Sequence, residues 1–135
     1  AGASADEEHL RRAERVLGAV GITVRVPEIQ LDAVTGLSGS GPAYVFLMAE
    51  ALIEAGVLVG LTRDVAEKLV IQTIEGSAAL LSRGHGSPEQ LRGAVTSPGG
   101  TTAAGLKALE DAGIRAAFMD AVVAATERSK ELGRG

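Results

Sequence analysis

Residues 41–61, GPAYVFLMAEALIEAGVLVGL, are apolar for most of their length. Ser40 and Pro42 predict a helix opening here and running over about 42–58, with Ser40 as its cap and Pro42 in its first turn. On that helix Val45, Phe46, Leu47, Met48, Ala51, Leu52 and Ile53 cover nearly the whole circumference. A helix that is apolar all round has to be covered all round, by lipid or by protein. Lipid fits poorly: Glu50 and Glu54 lie near the middle of the stretch and Gly56 interrupts it. Ionised carboxylates at mid-bilayer are costly. The reading is a buried helix in a soluble protein, with no membrane partner. A chain of 135 residues holds only a modest core. Burial between two subunits is therefore the expected cover, which predicts a homodimer.

The rest of the composition agrees with a helical, closely packed protein. The chain is 46% hydrophobic and 22% charged, but aromatics are only 2%: Tyr44, Phe46 and Phe118. Its core must come from Ala, Val, Leu and Ile, whose small side chains let helices approach closely. The net charge is −4, from 17 acids and 13 bases, with no basic stripe. Nucleic acid is excluded as an expected partner. The absence of cysteine removes disulfides and thiolate metal sites and fits a reducing, cytoplasmic setting. The opening residues, AGASADEEHL, are acidic and polar, unlike a signal peptide.

Along the chain, Ser4 and Glu7 form a capping-box pattern before a helix of about 5–19. Leu10, Ala13, Leu17 and Val20 fall on one side of it, and Gly18 and Gly21 close it. Ile22–Val26, ITVRV, alternates apolar and polar residues and reads as one short strand ended by Pro27. A lone strand needs a partner, either the same strand of another copy or a larger sheet. Residues 1–27 thus look like the tail of an α/β unit, and 28–135 like a separate helical domain. In that domain a short helix is read over 29–36, ahead of the apolar one. Thr62 caps a helix over 63–83, with Gly84 ending it. Ser87-Pro88-Glu89-Gln90 starts a short helix to about Val95. A further helix spans about 102–112, Gly113 terminates it, and a last helix spans about 115–132. The fold class is an all-α bundle.

Between the last three helices lies TSPGGTT, residues 96–102. Gly99 and Gly100 allow positive φ and leave the backbone bare. The helix that follows offers unpaired N–H groups and the positive end of its dipole. That combination suits a carboxylate or phosphate, and Ser97, Thr101 and Thr102 add hydroxyls. A plain helix–helix connection with threonine caps has the same spacing, and the pattern alone leaves both open. Gly39-Ser40-Gly41-Pro42-Ala43-Tyr44 resembles a dinucleotide loop only superficially. Tyr stands at the sixth position, no clear strand precedes it, and no βαβ unit follows. Glu50 and Glu54, one helical turn apart, read as a polar strip. His9 and His85 are isolated in sequence, so no metal site is expected. Ser97 has no partnered base to make it a nucleophile.

Two segments, PEIQLDAVTGLSGSGPAYVF (27–46) and LRGAVTSPGGTTAAGLKALEDAGIRAAFMDAV (91–122), closely resemble the C-terminal half of pyrroline-5-carboxylate reductase. The resemblance runs over nearly the whole chain. It implies an all-helical domain like the C-terminal domain of 6-phosphogluconate dehydrogenase, forming an intertwined dimer or a higher oligomer. It also implies that the helix and strand before Pro27 are left from a Rossmann domain. The family reduces 1-pyrroline-5-carboxylate to proline with NADPH or NADH, in proline biosynthesis. In the family's substrate loop the backbone and serine hold the substrate carboxylate, which transfers to Ser97, Gly99, Gly100, Thr101 and Thr102. The threonine matching Thr102 hydrogen-bonds the ring nitrogen and is the expected catalytic residue. Val95 matches a position beside the substrate and nicotinamide. The sequence departs from the family in lacking a GxGxxG after a strand. No cofactor is therefore expected on this chain, which is expected to be inactive alone. The alternative is a structural dimerisation module with no ligand.

Overall fold

A computed structural model describes residues 1–2 and 4–134. Helix α1 spans Glu7–Leu17. Its cap is Asp6, whose carboxylate accepts from the N–H of Glu8 at 2.9 Å and of His9 at 3.0 Å. The His9 imidazole closes the box by accepting from the Asp6 N–H at 3.4 Å. The expected Ser4–Glu7 box is thus replaced by one two residues later, because the aspartate supplies a charged acceptor. The expected strand over 22–26 is not formed, and no strand occurs among the described residues. A single strand has no ladder to join within one chain. The segment is instead tied to α1 by Arg25, which hydrogen-bonds both oxygens of Glu14 and reaches Glu7 at 3.0 Å.

From Glu28 the chain is helical for 31 residues without a break, to Leu58. The rod begins with a 3-10 turn at Glu28–Gln30 and continues through α2, Leu31–Val34. At Thr35–Gly39 it widens into a π turn, in which the Ser40 N–H bonds the Thr35 carbonyl at 2.8 Å. It then becomes α3, Gly41–Leu58. Because helix already precedes α3, Ser40 has αR backbone and its side chain makes no capping bond, contrary to expectation. A loop of four residues leads to α4, Arg63–Ser82. Thr62 stands at its N-cap in extended conformation, but its hydroxyl does not cap either. The chain continues with α5, Pro88–Ala94, then α6, Thr101–Asp111, and α7, Ile114–Leu132, which follows Gly113 at φ 74°.

Two close approaches hold the subunit together. Helices α3 and α4 pack along each other, and Ala66 at their crossing is only 1% exposed. A Cβ on Gly56 would lie 2.9 Å from the Ala66 Cβ, so the contact exists because both residues are small. The second approach is between the π turn and α7. Gly36 is buried there, and a Cβ on it would meet the Thr126 Oγ1 at 2.4 Å and the Val122 carbonyl at 2.9 Å. Polar side chains finish this seam. Tyr44 donates to the Gly36 carbonyl at 3.1 Å, and Ser129 donates to Asp32 at 2.7 Å.

Elsewhere the apolar surface is bare. The subunit exposes 10662 Å², whereas a closed monomer of its mass would expose about 6,600 Å². Among the described residues only Gly36 and Ala66 are buried. On α3, Phe46 and Leu47 are each 66% exposed, and on α7 Met119 is 67% exposed. The rod 28–58 is long and apolar enough to cross a membrane by length and composition, and of its residues only Gly36 is buried within the subunit.

Candidate functional site

The turn between α5 and α6 is built almost entirely by local chemistry. Helix α5 starts with the expected box: the Ser87 hydroxyl accepts from the Gln90 N–H at 3.2 Å, and the Gln90 side chain accepts from the Ser87 N–H at 2.8 Å. Val95 ends the helix in a non-helical conformation. The Thr96 N–H bonds the Gly93 carbonyl at 3.1 Å, and its hydroxyl bonds the Arg92 carbonyl at 2.6 Å. Pro98 then forces a turn, Gly99 adopts φ 70°, and the Gly100 N–H returns to the Ser97 carbonyl at 3.0 Å. Glycine serves the two positions for different reasons. Position 99 needs the left-handed region. A Cβ at position 100 would sit 2.3 Å from the Ser97 hydroxyl oxygen.

The consequence appears at the head of α6. Gly100 is its N-cap and offers no side chain to accept from the first amides. The first bond into the helix is from the Ala104 N–H to the Gly100 carbonyl, at 3.2 Å. The N–H groups of Thr101, Thr102 and Ala103 have no partner among the described residues. Helix α6, like α3 and α7 and unlike α1, α4 and α5, carries no acid in its first turn. Three free donors and an uncompensated dipole end are what an anion needs. Neither Thr101 nor Thr102 caps α6, so the turn joins α5 to α6 without the threonine caps that the spacing allowed. Ser97, Gly99, Gly100, Thr101 and Thr102 are brought together on this one turn. Thr102 is half-buried, Thr101 and Ser97 are exposed, and Val95 stands at the entrance, 66% exposed.

Other candidates separate from this turn. Glu50 and Glu54 are exposed on α3, and His9 is engaged in capping α1. No group of three or more metal-ligating side chains occurs among the described residues. Gly39 belongs to the π turn and Ser40–Tyr44 lead into α3, so this glycine pair does not form a strand-to-helix phosphate loop. Residues 39–44 therefore do not form a dinucleotide loop.

One feature of the site escaped sequence reasoning. Beside the turn, an open groove is lined by Glu89, Gln90, Arg92, Gly93, Thr96 and Leu106. Glu110, near the end of α6, accepts from Arg115 Nε at 2.8 Å and 2.9 Å through its two oxygens. The Arg92 guanidinium of α5 stands 3.9 Å from the same carboxylate. The hydrogen bond from Arg115 holds the Glu110 carboxyl below its ordinary range, helped by the charges of Arg115 and Arg92. The five-residue spacing of Glu110 and Arg115 across Gly113 was the available signal.

The class that this structure defines is an all-helical subunit with an uncovered apolar face, built to be completed by another chain. Residues 28–132 match the model for pyrroline-5-carboxylate reductase dimerisation, and the chain belongs to that family. A pyrroline-5-carboxylate reductase of Synechocystis is 52% identical over 96% of this chain. A solved pyrroline-5-carboxylate reductase from Coxiella burnetii superposes with a TM-score of 0.92 at 43% identity, over 97% of this chain and 49% of the other. One from Plasmodium falciparum, solved with NADP bound, gives 0.90 at 38% identity over 98% of this chain and 53% of the other. The chain spans about half the length of the curated relatives it matches, 48% in the Synechocystis case.

Proposed function

We propose that this chain is the dimerisation and carboxylate-binding part of a pyrroline-5-carboxylate reductase, which reduces 1-pyrroline-5-carboxylate to proline in the cytoplasm. The observation that carries the reading is the set of free N–H groups at Thr101, Thr102 and Ala103 behind a glycine cap. These amides and the Ser97 hydroxyl bind the substrate carboxylate. That fixes one end of the ring and limits its rotation over the turn. Thr102 then orients the ring nitrogen through its hydroxyl. Its ordinary acidity is too low to make it a free proton donor at neutral pH, so it positions the nitrogen and passes a proton from water. Val95 lines the approach and keeps it apolar.

When bound, NADPH or NADH supplies the hydride. The full-length protein holds the dinucleotide chiefly in the part that this chain does not span, and this chain alone turns over no substrate. Two copies cover each other's α3. This accounts for an exposed area about 4,000 Å² beyond that of a closed monomer, a scale that belongs to obligate dimers. It also gives the rod 28–58 a protein cover in place of a membrane.

Titration of the isotope-labelled chain with L-proline tests the site. Amide shifts are expected at Ser97–Ala103, with weak affinity; shifts confined to other helices would overturn the assignment. In the full-length enzyme Thr102→Ala is expected to lower kcat/KM by roughly 10–100-fold through lost orientation. Unchanged kinetics would favour a structural module without a ligand.

A further inference from the structure

We propose that Glu110 is a positioning residue for the 95–100 turn, because its carboxylate ties α5 to α6 and α7. The proposal rests on the reading of that turn as a carboxylate seat. It begins from a weakness of α5. The helix has only seven residues, well below the ~12–15 at which an isolated helix becomes even marginally stable. It lies along no other helix of the subunit for more than a residue or two. The groove beside it offers one large apolar side chain, Leu106. Its capping box orders its own first turn but does not fix where the helix points.

Charge supplies what packing does not. Arg115 shares its Nε–H between both Glu110 oxygens, with Nη2 2.8 Å from Oε1, which sets the carboxylate's orientation. Arg92, 3.9 Å from that carboxylate, makes the one ion pair that joins α5 to another helix among the described residues. Glu89, also on α5, adds a second attractive charge to Arg115. The tie reaches the turn by a short route. Thr96 bonds the carbonyl of Arg92 itself, so the residue that meets Glu110 also anchors the start of the loop. Movement of α5 would carry Val95 to Ser97 away from the free amides of α6. The pairs are solvent-exposed and individually weak. A seven-residue helix without packing needs only a weak tie to choose its direction.

Hydrogen exchange at the Thr96 and Gly100 amides, which bond the Gly93 and Ser97 carbonyls, reads the tie in the ligand-free dimer. E110Q and, separately, R92M are expected to speed their exchange by about two- to fivefold, the factor an exposed ion pair supplies. Amides of α3 and α4 should be unchanged, and E110D should restore part of the protection. R92M leaves the Glu110–Arg115 pair intact, so it guards against a general loss of folding. Wild-type exchange in R92M, or an E110D no better than E110Q, would overturn the proposal. L-proline titration is scored separately. A wild-type chain whose loop ignores L-proline overturns the carboxylate seat, while the exchange data still decide the tie.

Discussion

Helix α3 and the 95–102 turn are opposite kinds of structure within one chain. The turn is finished by its own neighbours: a capping box before it, Thr96 folded back on Arg92, Gly100 bonded to Ser97. Helix α3 meets α4 along its length and the π turn through Tyr44, but Phe46 and Leu47 face outward. The difference separates two requirements. Ligand recognition needs donors held at fixed positions, which a few local bonds supply. Stability needs apolar area removed from water, which this subunit cannot supply alone.

Charge on α3 should break that contrast most severely. In a Phe46→Asp, Leu47→Asp double variant each subunit loses two large apolar side chains, and a two-fold interface counts the loss twice. At about 1.5–3 kcal/mol per buried side chain, dimer affinity should fall by at least a thousandfold. Sedimentation equilibrium should show monomers with much reduced helicity. A variant that stays dimeric would place the interface elsewhere.

Next in size is Gly36→Val, at the seam where the π turn meets α7. The first added carbon already falls 2.4 Å from Thr126 Oγ1 and 2.9 Å from a backbone carbonyl. Overpacking of this kind costs about 1–3 kcal/mol, read as a lower denaturation midpoint at fixed protein concentration. The turn should survive, because none of its bonds involves this seam. Gly100→Ala should act the other way round. Its Cβ displaces the Ser97 hydroxyl, so L-proline affinity should fall roughly tenfold, about one lost hydrogen bond, at little cost in stability. Equal affinity would mean that Ser97 does not touch the ligand.

What could be read from the sequence follows the same division. Ser87-Pro88-Glu89-Gln90, Gly113 and the two glycines before Thr101 act within a few residues, and each was legible. The all-round apolar helix also announced its need for a second chain. Strand 22–26 failed because its alternation specifies a ladder partner that the chain does not contain. Ser40 failed because a cap is needed only where a helix begins, and here the π turn carries helix through it. The approach of Gly36 to Thr126 joins residues ninety positions apart, and no local pattern encodes it. The tie from Arg92 to Glu110 was hidden for a related reason, since it depends on how α5 leans over α6.

The smallest effect expected is an acid one, confined to the turn. The hydrogen bond from Arg115 depresses the Glu110 carboxyl below its ordinary 4.5, and the charges of Arg115 and Arg92 act in the same direction. Arg115 and Arg92 stay charged throughout, so only the carboxylate titrates within this cluster of facing groups, apart from Glu89. A depressed folded value means that the tie is complete above the unfolded one, and is lost as pH falls through the folded one. Protection of Thr96 and Gly100, corrected for the intrinsic pH dependence of exchange, should stay flat from pH 7 down to about 5. It should then decline below the ordinary carboxylate value. In E110Q the same protection should be low at neutral pH and should not fall further with Glu110's titration. Were wild type and E110Q to lose protection in parallel, the loss would belong to the dimer as a whole. The turn would then depend on the second subunit as much as α3 does, and the contrast between a locally finished site and an unfinished core would fail.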